Sequence, residues 1–94
     1  MDEPIAMLVK RINKLEGEGT LKAFCDVSIM GAFLIKGVKV VHGKNGLFVS
    51  MPREQGKNGQ WYDTIVPLNK DIKDRLTEVV LEFYQAEEEQ VAAR

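Results

Sequence analysis

The residues of this chain whose types could do chemistry are few and scattered. His42, beside Gly43, has the side chain of a general base or a metal ligand, yet no cysteine or carboxylate stands close to it in sequence to complete a site. It reads as a strand-end histidine. Cys25 is the single cysteine, which forbids an internal disulfide and leaves no thiolate set for zinc. Its place in an alternating run reads as a small core hydrophobe rather than a nucleophile. Asp71 and Asp74 could pair as carboxylates, but at the start of a helix they are explained by the positive end of the macrodipole. Lys70, Lys73 and Arg75 are different, because cations there oppose that same dipole. Helix amides pointing outward beside lysine and arginine side chains make a phosphate site, so these three are the candidate nucleic-acid-binding residues. The alternative is a set of solvated cations balanced by Asp71 and Asp74.

No nucleophile triad, phosphate loop or metal-ligand spacing occurs, so the expectation is a protein that is not an enzyme and carries no cofactor and no metal. The 94 residues carry 13 basic and 14 acidic side chains, a net charge of −1. The distribution is uneven. Residues 1–20 hold three basic and four acidic groups, residues 21–60 six and two, and residues 61–94 four and eight. A basic middle can draw a polyanion to one face while the acidic end keeps the chain in solution. The longest uncharged stretch, residues 27–35, is far short of the roughly 20 residues that span a bilayer, so no membrane segment is expected. Met1-Asp2-Glu3-Pro4 is acidic where a signal peptide is basic, and the expected location is cytoplasmic.

The elements that position these residues follow from periodicity. Leu21, Ala23, Cys25, Val27 and Ile29 alternate with Lys22, Phe24, Asp26, Ser28 and Met30, the period of a half-buried strand. Gly17 and Gly19 before it allow a reversal, so Ile5–Leu15 is expected to run antiparallel to it, although Ile5, Leu8, Val9, Ile12 and Leu15 also fit a helix stripe. Phe33–Ile35 and Val38–Val41 read as strand with Gly37 at a bulge or bend. Asn45-Gly46 reads as a type I′ turn leading into Leu47–Met51, which Pro52 ends. Arg53–Gln60 reads as a polar loop and Trp61–Val66 as a further strand closed by Pro67. From Asn69 the period becomes helical, with Ile72, Leu76, Val79, Val80 and Phe83 on one stripe and Asn69 or Asp71 as the cap. Residues 85–94 are expected to be an acidic helical or frayed extension.

The fold class expected is therefore α+β: one domain over residues 1–94, an antiparallel sheet of about five strands followed by one long C-terminal helix. One helix covers only one sheet face. Phe24 opposes the Leu21 face and Phe48 opposes Leu47, Val49 and Met51, so a second copy is expected to cover the other side, giving a homodimer.

Gly43-Lys44-Asn45-Gly46-Leu47-Phe48-Val49-Ser50-Met51-Pro52 closely resembles the GxNGLFVxMP signature of the stage V sporulation protein G (SpoVG, septation regulator) family. Leu21-Lys22-Ala23-Phe24 after a glycine turn, Tyr62-Asp63, Pro67-Leu68-Asn69 and Val80-Leu81 resemble that family in the same order, so the likeness covers roughly residues 7–84. The resemblance implies a SpoVG-like fold with the first segment a strand. It also implies a small bacterial cytoplasmic homodimer that binds DNA and/or RNA as a regulator of sporulation or septation (cell division), with no small-molecule substrate. The family's basic positions at the helix start match Lys73 and Arg75. A protein-protein interaction module without physiological nucleic-acid binding is the alternative, recruited through the uncovered sheet face and the acidic helix.

Overall fold

The computed structural model describes residues 5–17 and 19–92, with side chains through residue 87. Four strands form one antiparallel sheet in the order of the chain: β1 (Met7–Lys14), β2 (Leu21–Ile29), β3 (Phe33–Gly43) and β4 (Gly46–Ser50). A separate two-stranded ladder joins β5 (Arg53–Gln55) to β6 (Trp61–Asp63), and one helix, α1 (Lys70–Ala92), follows. The architecture is α+β. Helix α1 runs through most of the acidic extension. The expected fraying at residues 93–94 lies outside the described residues, as do the side chains from 88 onward.

Parity divides the sheet. The alternation in β2 buries Ala23, Cys25 and Val27, and β3 adds Val38 and Val40. Leu76 and Val80 of α1 close this core from above, one helical turn apart. The first segment is a strand, not a helix. It pairs with β2 from Met7↔Ile29 to Lys14↔Ala23, with a shift between Val9 and Arg11 that lets Val9 reach the core. Gly37, at φ +87°, sits at the shift between the pairs Cys25↔Val38 and Asp26↔Lys36, so it bulges the strand without ending it.

Three local expectations change. Asn45-Gly46 is not a type I′ turn: Lys44 and Asn45 form a two-residue loop between the paired Gly43 and Gly46, and Asn45 stays at negative φ. Only Gly46, at φ +113°, needs the freedom of glycine there. The type I′ geometry occurs between β2 and β3 instead, where Met30 and Gly31 have φ of 55° and 64° and the Ala32 amide donates to the Ile29 carbonyl at 2.9 Å.

The second change concerns Arg53–Gln60, which is not a plain loop. Arg53, Glu54 and Gln55 pair with Asp63, Tyr62 and Trp61. The third shortens the expected strand over 61–66 to Trp61–Asp63, because Thr64 turns back. Its amide and its Oγ1 both donate to the Pro52 carbonyl, at 3.0 and 3.2 Å, and this closes the base of the hairpin. The ring of Tyr62 lies over Gly56, where a Cβ would stand 2.8 Å from the ring. Its hydroxyl donates to Gln60 Oε1 at 3.1 Å and accepts from Asn58 Nδ2 at 2.9 Å.

Candidate nucleic-acid interface

The start of α1 is organised by Asn69. Its Oδ1 accepts from the Ile72 amide at 2.9 Å and its carbonyl from the Lys73 amide at 3.3 Å, so Asn69, and not Asp71, is the cap. From this fixed start, a turn of about 100° per residue separates the three candidate cations. Lys70 and Lys73 lie about 60° apart on one side, and Arg75 lies across the helix from Lys73.

The structure gives the three different surroundings. Lys70 Nζ pairs with Asp74 Oδ2 at 3.0 Å, an exposed pair one turn along the helix that removes much of its field. Arg75 is half-buried, and its Nε donates to the Ile5 carbonyl at 3.0 Å, tying the approach to β1 to the helix. Lys73 is exposed, and its side chain makes no hydrogen bond or ion pair with any described residue, although its carbonyl accepts from Thr77 Oγ1 at 3.0 Å. It lines a groove of about 520 Å³ together with Phe48, Ser50, Arg53 and Asp63. That groove runs along the outer edge of β4, which has no strand beyond it in the sheet. Arg53, which the sequence left in a loop, is held within the hairpin: its Nε pairs with Asp63 Oδ1 at 3.1 Å and its Nη2 donates to the Trp61 carbonyl at 3.2 Å.

The groove opens onto the sheet face opposite the helix. Side chains alternate with the buried set, so Arg11, Phe24, Asp26, Lys39, Val41, Phe48 and Ser50 face outward. Beyond the Gly37 bulge Lys36 joins them, because its neighbour Ile35 packs on the core. Across the strands, Asn13, Phe24, Lys39 and Ser50 are directly paired in one row. Val41 and Phe48 form the next row, and Arg11, Asp26 and Lys36 flank the first on its other side. Phe48 is 48% exposed and its ring lies against Gly43, where a Cβ would stand 2.9 Å away.

The remaining chemistry-bearing residues are placed apart from this surface. Cys25 is 1% exposed, and burial, with a smaller contribution from the neighbouring Asp26 carboxylate, pushes its thiol up to about 11. His42 is exposed on β3. Among the described residues no three of His, Cys, Asp and Glu gather where one metal ion could be held, and no helix is long and apolar enough to cross a membrane.

A second depression, of about 330 Å³, lies between the first turns of α1 and the sheet and adjoins the first at Met51, Val66 and Pro67. Met7, Ile29, Ile35 and Met51 form its floor, and the chain at Ile65, Val66 and Leu68 forms its rim. Leu68 is 95% exposed.

The sequence model of the SpoVG family matches residues 7–86, which span the whole sheet, the hairpin and most of α1. The chain belongs to the SpoVG family. A SpoVG relative from Archaeoglobus fulgidus, named "Putative septation protein SpoVG", is 41% identical over 78 residues, covering 83% of this chain and 92% of the relative. A protein of the same name from Thermoanaerobacter pseudethanolicus is 37% identical over 83 residues, 88% of this chain and 90% of its own. The matched span of this SpoVG chain includes all three candidate cations and, apart from Ile5, the lining of both depressions.

Proposed function

We propose that this SpoVG protein is a cytoplasmic, dimeric nucleic-acid-binding regulator that performs no catalysis and acts in septation or sporulation, the first being the setting for which its relatives are named. The observation that carries the reading is Lys73: an unpaired cation on the first turn of a capped helix, lining an open groove beside the edge of a sheet. Phosphate oxygens there meet an ammonium and helix amides together, a contact that positions a nucleic acid without reading its sequence. Lys70, shared with Asp74, adds a weaker contact on the same side. Arg75 acts mainly by fixing the chain at Ile5, which leaves the rest of its guanidinium to a phosphate on the helix's far side.

The dimer rests on the apolar depression. Its floor and rim leave methyl groups in water, and the rim residue Leu68 has almost nothing against it. A second copy is the occupant that is always at hand, and it covers this side more readily than the charged outward face. The same depression favours a second reading, a module that recruits a different protein there and meets nucleic acid only incidentally.

Fluorescence anisotropy with labelled DNA and RNA over a salt series tests the first reading. Lys73→Ala is expected to weaken binding to all sequences alike and to flatten the slope of log affinity against log salt by about 0.9 on duplex or about 0.7 on single strands, doubled in a symmetric dimer. No binding by the parent on any strand would favour the protein-recruiting module. Light scattering is expected to give twice 10.6 kDa across a dilution series. A mass of one chain would remove the dimer.

A further inference from the structure

We propose that the outward face of the four-stranded sheet is a platform for single-stranded nucleic acid, with bases stacked on Phe24 and Phe48 and phosphates held by Lys39 and Lys36. The inference rests on the nucleic-acid reading above and extends it from the groove at Lys73 to a second surface. Continuity is the first argument. Phe48 and Ser50 line the Lys73 groove and also belong to the outward face, so a strand leaving the groove passes directly onto the sheet.

Spacing is the second. Phe24 and Phe48 are two strands apart and offset by two residues, which puts their backbone positions about 12 Å from one another. Lys39 stands between them, directly beside Phe24 and diagonal to Phe48. An aromatic ring, a cation and another aromatic ring in sequence across a sheet suit a chain whose bases and phosphates alternate, because every base has a face to stack and every linkage a charge.

Charge selects among the possible occupants. Arg11, Lys36 and Lys39 face outward against Asp26 alone on these rows. A second copy laid face to face would bring these cations against their own duplicates and take them out of water, a costly arrangement. A polyanion gains from the same charges. A duplex fits poorly, since its bases are already stacked within the helix. Four strands also span about 14 Å before side chains are added, wider than the roughly 12 Å major groove. Unpaired bases are what the two rings can accept.

The experiment uses the full chain with labelled single-stranded DNA, single-stranded RNA and duplex DNA of equal length, read by anisotropy at several salt concentrations. Phe24→Leu with Phe48→Leu keeps apolar volume and removes the rings. It is expected to weaken single-strand binding about tenfold or more, with an unchanged salt slope and a smaller loss on duplex. Lys39→Ala is expected to flatten the single-strand slope by about 0.7 for each site in contact. Phe48→Tyr should keep parental affinity, because the ring remains. Should the double variant melt early, Phe48→Leu alone decides, since that ring is already half in water. Parent binding with no change in the phenylalanine variants would overturn this inference and leave the proposed function standing. A fall in the mass of those variants would assign the face to a second copy and overturn it as well. A parent that binds no strand would overturn both readings.

Discussion

The same four strands present two surfaces that share a backbone and differ in almost everything else. The helix side holds Val9, Ala23, Cys25, Val27, Val38 and Val40 under Leu76 and Val80, with the Lys14 ammonium tucked 5.2 Å from the centre of the Tyr84 ring. The far side, one residue out of step along each strand, holds Phe24, Val41 and Phe48 among Arg11, Asp26, Lys36 and Lys39. Since side chains alternate with period two, a single register sets both at once. Stability therefore concentrates on one side, and the other is left free for the contacts proposed above. Bulges at Gly37 and between Val9 and Arg11 keep the two sets from mixing where the strands would otherwise slip out of phase.

That division is most severely tested by truncating one residue on each side. Leu76→Ala leaves a void between helix and sheet and is expected to cost about 2–5 kcal/mol in urea unfolding. Lys39→Ala, on the far side, should stay within about 0.5 kcal/mol. Equal losses would mean that the outward face is packed as tightly as the core.

Alkaline pH probes the buried side alone. Below about 9 the Cys25 thiol keeps its proton in both states, and the folded chain has its full stability. Between about 9 and 11 the unfolded chain gives up the proton while the folded one retains it, so the folded state binds more protons and stability falls as pH rises. The loss is on the order of 2 kcal/mol by pH 11. Denaturant unfolding at pH 8 and pH 10.5 should show it in the parent, and Cys25→Ala should remove that part of the slope. A parent and variant with identical pH profiles would place the thiol in contact with solvent.

The register itself is open to a smaller perturbation. Gly46 begins β4 at φ +113°, with empty space where a side chain would go, so Gly46→Val introduces backbone strain and no clash. A cost of about 1–3 kcal/mol in thermal melting is expected. A melting temperature equal to the parent's would show that the hairpin reaches the same pairing through another turn.

Sequence periodicity revealed the buried side well, because burial imposes a pattern on neighbouring residues. The alternation of β2 from Ala23 onward and the stripe from Ile72 to Phe83 were legible in this way, while glycine itself marked the bulge at 37 and the sequence narrowed the cap to Asn69 or Asp71. Leu21 falls on the other face because the shift before Ala23 pairs it with Val41. The hairpin of β5 and β6 was not. Its three pairs expose every side chain, so no apolar rhythm marks it, and what holds it is backbone pairing with the Arg53–Asp63 ion pair. The turn at Met30-Gly31 escaped because methionine at positive φ follows no residue preference, whereas Asn45-Gly46 matched the preference and adopted another form. At the candidate site, residue types alone made Lys70, Lys73 and Arg75 look alike. Their difference lies in partners: Asp74 is four residues from Lys70, but Ile5 is seventy residues from Arg75, a separation that no local pattern spans.

Gly43 has a consequence for how this chain is able to change over generations. Its backbone makes no demand for glycine, yet any side chain there would press on the ring of Phe48. Positions 43 and 48 are thus sterically coupled. An alanine at 43 becomes tolerable when a smaller residue has already replaced the phenylalanine, and a lineage that gives up the ring is released from the glycine. Among related chains the two positions should drift together, and a lone change at 43 should register as a displaced ring on the sheet face, with little sign of it in the fold.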